Sequence, residues 1–154
     1  MPTWDGISDK DWDIVQDLAV DVVNARIAGD LEDHEILRLR LLAYLDTLEA
    51  TYGALPSILH TRANYVHDQG AREELLRRAY ELAESRSDWT NALLIAHSLA
   101  EVYIEDHQNL DEARRWLDRL RQHLSEANDV GTDYREKYEE LIHEFMRIGA
   151  PNRE

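Results

Sequence analysis

The sequence contains no cysteine, and only six glycines and three prolines occur among its 154 residues. The absence of cysteine excludes thiol catalysis, disulfide bonds and cysteine-based zinc sites. The longest apolar runs, such as residues 92–96, are five residues long, whereas a membrane-spanning helix needs about 20. Basic residues are also scarce, with 17 against 32 acidic ones and a net charge of −15. That balance argues against binding to the phosphate backbone of nucleic acids.

Catalytic, cofactor-binding and targeting motifs are missing as well. No GxSxG, GxGxxG, GxxxxGK[ST] or HExxH pattern occurs, so we predict neither enzymatic activity nor a bound cofactor. Residues 1–9 lack the basic and apolar segments of a secretory signal. We therefore expect a cytoplasmic protein that does not enter a membrane.

Apolar residues recur at helical spacing along the whole chain, and no useful stretch alternates as a strand would. Capping residues and glycines divide this pattern into about seven helices, which predicts an all-α fold. The predicted limits are Ser8 or Asp9 to about Ala28, residues 30–33 to about Tyr52, Pro56 to Gly70, Ala71 to about Ser85, Ser87 and Asp88 to about Glu105, Asn109 or Asp111 onward, and Asp133 onward. The apolar residues at helical spacing include Ile14, Val23 and Ile27 in the first helix, and the predicted inner side of the second helix includes Ile36.

Two helical hairpins, residues 57–86 and 89–126, repeat one another with an offset of 37 or 38 residues. Residues 92–104 read ALLIAHSLAEVYI and residues 110–117 read LDEARRWL. This pattern resembles the tetratricopeptide-repeat (TPR) family. The resemblance implies one domain over residues 1–154, with a degenerate first hairpin at 9–52 and a capping helix at 132–148. The turn of the 89–126 hairpin has one extra residue and lacks the usual glycine.

The resemblance also implies a concave groove that binds a protein or peptide. The groove positions of the family correspond here to His60, Asn64, His67 and Asp68 in one repeat, and to His97, Glu101 and Glu105 in the next. The i, i+4 and i+7 spacing of the first three places them on one helix face, as does the i, i+4 spacing of His97 and Glu101. Because imidazoles and carboxylates are also metal ligands, a groove metal site is a minor alternative. We predict no metal site as the leading interpretation.

The negative charge is concentrated near the N-terminus. Residues 1–35 contain 10 acidic and 2 basic residues, a net charge of −8, whereas residues 36–70 contain three of each. Asp13, Asp17 and Asp21 form an acidic face at i, i+4 spacing on the first helix. This face suggests a second function, that of a small acidic inhibitor or immunity-type protein that covers a basic partner surface.

Four tryptophans provide the largest apolar side chains. Trp89 and Trp116 lie on the apolar faces of the repeats, so we expect both to pack in the interior. Trp4 and Trp12 either close the N-terminal end or, if exposed, form a contact patch. The sequence leaves the identity of the partner open, as well as the choice between a monomer and a homodimer.

Overall fold

The computed structural model describes residues 2–126 and 132–149, and all regular secondary structure within these ranges is helical. The α-helices are α1 (Asp9–Ile27), α2 (Leu31–Tyr52), α3 (Pro56–Tyr65), α4 (Gln69–Ser85), α5 (Trp89–Glu101), α6 (Leu110–Glu126) and α7 (Thr132–Gly149). A π-helical turn, Val102–Asp106, continues α5. The all-α prediction is confirmed. None of the helices in the described ranges has the length and apolar character needed to cross a membrane.

The chain divides into two compact units, Met1–Leu75 and Leu76–Glu154, with the division inside α4. In the first unit α2 packs against both α1 and α3. In the second unit α6 packs against both α5 and α7. Helices that are consecutive in sequence are thus neighbours in space within each unit, as in a helical-repeat fold. The predicted hairpin at residues 57–86 crosses the division, and membership of the TPR family remains a prediction.

The core of the first unit is formed by residues of α1, α2 and α3, together with Ile7 and Leu55 from the segments before α1 and α3. Its buried members are Ile7, Val15, Val22, Leu41, Leu45, Leu48, Leu55 and Ile58. Trp12 and Tyr52 pack against this cluster from its edge. The Tyr52 hydroxyl donates to the Asp11 carboxylate at 2.6 Å, and this hydrogen bond is the largest of the effects that lower the pKa of Asp11. The buried apolar cluster and this hydrogen bond together hold the start of α1 against α2.

The core of the second unit combines small residues with aromatic ones. Ala92, Ala96 and Ala100 are fully buried at i, i+4 spacing on α5, so neighbouring helices can approach this face closely. Trp116 is 3% exposed, and its ring meets that of Tyr80 edge-on at 4.8 Å between centroids. This confirms the predicted interior position of Trp116. Trp89 differs from the prediction, since it is 47% exposed and only one side of its ring contacts His123.

Several predicted helix starts are confirmed by capping hydrogen bonds. The side chains of Ser8, Asp30 and Asp88 accept from the backbone amides three residues later, at 3.3, 2.9 and 3.2 Å. The Asn109 side chain likewise accepts from a backbone amide of α6 at 3.3 Å. Of the two predicted starts of α6, Asn109 and Asp111, Asn109 is therefore the correct one. Each such cap satisfies one of the amides that the first helical turn leaves without a partner.

The predicted end of α3 at Gly70 is wrong. The helix ends at Tyr65, and Val66 has an extended backbone. Asp68 accepts from the amide of Ala71 at 2.7 Å, so Asp68 caps α4 and Gly70 lies in its first turn. The glycine was interpreted as a C-terminal stop because left-handed glycines favour that position. The aspartate that begins the next helix determines the boundary instead.

Four residues of the apolar helical patterns of α1 and α2 are exposed, among them Ile36, whose predicted position is on the inner side of α2. They are Ile14, Val23, Ile27 and Ile36, with exposed fractions of 38, 49, 79 and 48%. A helix of a two-helix hairpin buries only the stripe that faces its neighbours, and the apolar positions of α1 cover more than half of its circumference. The predicted fifth helix is also shorter than expected, because its regular α-helical bonding stops at Glu101 and the π-helical turn covers the remaining residues.

Candidate functional site

Three of the predicted groove residues come together in the second unit. His97, Glu101 and Glu105 line a cavity of about 330 Å³ with four residues of α7, and we call it the acidic cavity. Its α7 residues are Lys137, Glu140, Leu141 and Glu144. In the π-helical turn the amide of His107 donates to the carbonyl of Val102, five residues earlier. The wider turn keeps Glu105 on the same side as His97 and Glu101, and such turns are frequent at functional sites.

His97 lies in the acidic cavity as a neutral ring. Its side chain is only 12% exposed, and burial, followed by the nearby Lys137 ammonium, lowers its pKa to about 4. Glu101 lies 3.0 Å from Nδ1, and its negative charge opposes this shift. Burial has the greater effect, so the ring near neutral pH carries one proton, and the short contact requires that proton to be on Nδ1. Tyr134 closes one side, with its ring edge-on to His97 at 6.0 Å.

The charge of the acidic cavity is strongly negative. With His97 neutral, four carboxylates and the Lys137 ammonium give the lining a formal charge of −3. The Glu144 carboxylate is held by Arg147, and this hydrogen bond is the main reason for the lowered pKa of Glu144. The side-chain carboxylates of Glu105 and Glu140 form no hydrogen bond or ion pair with another described residue. These two carboxylates are therefore free to pair with a cationic group that enters the cavity.

The groups around the acidic cavity determine which chemistry it supports. His97 has one ring nitrogen engaged by Glu101, and burial lowers its pKa to about 4, which is below the optimum for general-base catalysis near neutral pH. Within residues 2–126 and 132–149, no three histidine, aspartate or glutamate side chains are grouped closely enough to hold a metal ion. What the cavity offers is a set of hydrogen-bond acceptors above the buried Leu141.

The other predicted groove residues belong to the first unit, and only part of that prediction survives. His60 and Asn64 lie on α3, but His67 and Asp68 follow its end. The seven-residue spacing therefore does not place His60 and His67 on one helix face. His67 is exposed and lies 3.3 Å from Glu35, and Asp68 is a helix cap. Asn64 and His67 do line one cavity, whereas His60 and Asp68 do not.

That second cavity has a volume of about 320 Å³, and we call it the arginine cavity. Its lining consists of Val22, Val23, Arg26, His34, Arg38, Asn64, Tyr65, Val66 and His67. The Arg38 side chain is 90% buried, and its guanidinium donates to both Glu35 oxygens, at 2.9 and 2.6 Å, and to the Tyr65 carbonyl at 2.7 Å. The last bond satisfies a carbonyl in the final turn of α3. Hydrogen bonding from Arg38 is the largest of the effects that lower the pKa of Glu35 to about 2.

The predicted acidic face is present on α1. Asp13, Asp17 and Asp21 are all exposed. Val20 and Ile27, which are 57 and 79% exposed, occupy the same side of the helix at neighbouring helical positions. The surface is therefore acidic in its N-terminal half and partly apolar in its C-terminal half.

The sequence pattern predicts neither the α7 residues of the acidic cavity nor the arginines of the arginine cavity. Lys137 and Glu140 are ordinary surface positions by helical periodicity, and only the packing of α7 beside α5 brings them to His97. His34 and Arg38 did carry a signal, since their i, i+4 spacing places them on one face of α2. No pattern in the sequence indicates that this face of α2 lies beside Asn64 of α3.

Comparisons with known proteins supply no relative for this chain. No protein-family model matches it, and neither a curated protein nor a solved structure shows significant similarity to it.

Proposed function

We propose that the chain is a non-enzymatic protein- or peptide-binding module whose acidic cavity receives a basic side chain of the partner. The observation that carries this proposal is the convergence of His97, Glu101 and Glu105 with the carboxylates of α7 around one concave space. A guanidinium or ammonium group can donate several hydrogen bonds to carboxylates in such a space. The buried Leu141 gives the aliphatic stem of an arginine or lysine an apolar surface to cover.

The test is a titration with a short arginine peptide, acetyl-Ala-Arg-Ala-amide, and with the same peptide carrying neutral citrulline instead. We expect the arginine peptide to bind more tightly and its affinity to fall as salt is added. Replacement of two exposed carboxylates, Glu105→Gln with Glu140→Gln, should weaken binding by about threefold to tenfold. Because both side chains are on the surface, the fold should persist.

Glu139→Gln is the matched control for this experiment. It removes one carboxylate from the same helix, and Glu139 does not line the acidic cavity. An affinity that is unchanged in the double variant would refute the proposal. The proposal would also be refuted if Glu139→Gln lost as much binding free energy per removed carboxylate as the double variant does. The peptide would then be responding to the net charge alone.

A second candidate function rests on the acidic face of α1. We propose that Asp13, Asp17 and Asp21 can cover a basic surface of a partner, as in an acidic inhibitor or immunity-type protein. The exposed apolar Val20 and Ile27 beside these carboxylates support it, because interfaces combine apolar contacts with complementary charge. Conversion of the three aspartates to asparagine should weaken the binding of an oligoarginine probe and flatten its salt dependence. If the Glu105→Gln and Glu140→Gln variant loses this binding instead, the acidic cavity is the interaction site.

A further inference from the structure

The arginine cavity differs in charge from the rest of this acidic chain. None of its lining residues is acidic, although the whole chain carries a net charge of −15. Arg26 and Arg38 supply guanidinium groups, and His34 and Asn64 supply further polar atoms. Negative charge is abundant elsewhere on the first unit. A concave surface lined by cations is therefore a specific feature of this unit that its net charge does not explain.

Arg26 is the cation that remains available to a ligand. Glu35 compensates the charge of Arg38, and this pair holds the Arg38 guanidinium in a fixed position. The side chains of Arg26, His34 and Asn64, in contrast, form no hydrogen bond or ion pair with another described residue. Arg38 uses three of its five N–H groups in the bonds to Glu35 and Tyr65 and thus retains two. The cavity accordingly offers unused donors and one uncompensated positive charge.

The remaining lining consists of three valines together with Tyr65 and His67. Val22 is buried, Val66 is half-buried and Val23 is 49% exposed. One uncompensated positive charge matches a carboxylate better than a phosphate dianion, and a guanidinium fits the planar carboxylate geometry. A volume of about 320 Å³ is near the lower limit for ligand pockets, which are about 300–1,000 Å³. The space therefore suits a group of one or two amino-acid residues.

We infer that the arginine cavity binds a peptide carboxylate with an apolar side chain next to it. Arg26 pairs with the carboxylate, Arg38 and Asn64 orient it, and the valines contact the apolar side chain. This site is independent of the proposed function, because it lies in the other unit and selects the opposite charge.

The experiment is a titration of the ¹⁵N-labelled full chain, followed by NMR, with N-acetyl-leucine and with the neutral N-acetyl-leucinamide. We expect saturable binding of the acid with a dissociation constant of about 1 mM, as for other ligands of this size. Amide signals of α1 and α3 near the cavity should shift. The neutral amide should bind at least about tenfold more weakly, because it lacks the charge-assisted hydrogen bonds. Acetyl-Asp-leucinamide, tested in parallel, tells whether a side-chain carboxylate binds as well as a terminal one.

Arg26→Gln and Arg40→Gln are the variants that test the assignment. Arg26 is exposed and forms no bond on which the fold depends, so its replacement should leave the helices intact and weaken the acid about tenfold. Arg40 is exposed on α2 and does not line the cavity, so Arg40→Gln should bind as the wild type does. Equal binding of the acid and the neutral amide would overturn the inference. An unchanged affinity in Arg26→Gln, or an equal loss in both variants, would overturn it as well.

Discussion

Acidification should destabilise the second unit through His97. The pKa of this ring is lowered to about 4, mainly by burial, whereas an unfolded histidine has a pKa of about 6.5. A lowered pKa means that the folded state favours the neutral ring. The resulting stabilisation is fully present above about pH 6.5 and is lost as the pH falls towards 4. The difference in pKa corresponds to at most about 3 kcal/mol in the free energy of unfolding, most of which is lost by pH 4.5.

The measurement is the free energy of unfolding in urea at several values between pH 7.5 and pH 4.5. It compares the wild type with His97→Gln, which cannot titrate but retains a donor for Glu101. All three proteins, including the reference called wild type and the His143→Gln control, carry Trp4→Phe and Trp12→Phe, so that fluorescence reports on Trp89 and Trp116 in the second unit. We expect the wild type to lose about 2–3 kcal/mol more than the variant over this range. His143→Gln, which changes an exposed histidine, serves as the control and should behave as the wild type does.

Equal pH dependence of the wild type and His97→Gln would refute the reasoning. It would mean that Glu101, 3.0 Å from the ring, stabilises the charged form as strongly as burial opposes it. Other acid-sensitive groups, such as the buried His123, whose pKa is also lowered by burial, are present in every variant and cancel in the comparison.

Three further changes test the packing directly, each by urea unfolding at pH 7. Trp116→Ala should cost about 3–5 kcal/mol, because it removes a nearly fully buried indole from the core, while a loss under 1 kcal/mol would show that Trp116 is not packed as described. Asp88→Ala should lower the free energy of unfolding by about 1 kcal/mol, because it removes the cap of α5. Asp88→Asn should keep most of the stability that the cap provides. Gln108→Gly should stabilise the chain by up to about 1 kcal/mol, because residue 108 has a φ of 48°; any destabilisation would contradict this.

The same glutamine explains how this chain manages without a glycine in the turn before α6. The position requires a left-handed backbone, and Gln108 adopts it at some steric cost. The sequence shows that the glycine is absent, but only the backbone geometry shows which residue takes its place. Ser87, with a φ of 55°, does the same in the turn before α5.

Local chemistry accounts for what the sequence alone determined about this protein. The all-α fold follows from helical periodicity, and the starts of α1, α2, α5 and α6 follow from capping side chains that act within three residues. The exposure of Asp13, Asp17 and Asp21 follows from the same periodicity. His97, Glu101 and Glu105 were predicted to share a surface, and they do, because they belong to one continuous helical segment.

Long-range packing decided the rest. The end of α3, and with it the positions of His67 and Asp68 outside that helix, depends on the bond from Arg38 to the Tyr65 carbonyl, 27 residues away in sequence. It also depends on Asp68, which caps α4. Lys137 and Glu140 reach the acidic cavity only because α7 packs beside α5, and Arg26 and Asn64 line one cavity only because α1, α2 and α3 form one unit. Periodicity fixes which way a side chain points from its own helix, whereas the tertiary structure determines which other helix it meets there.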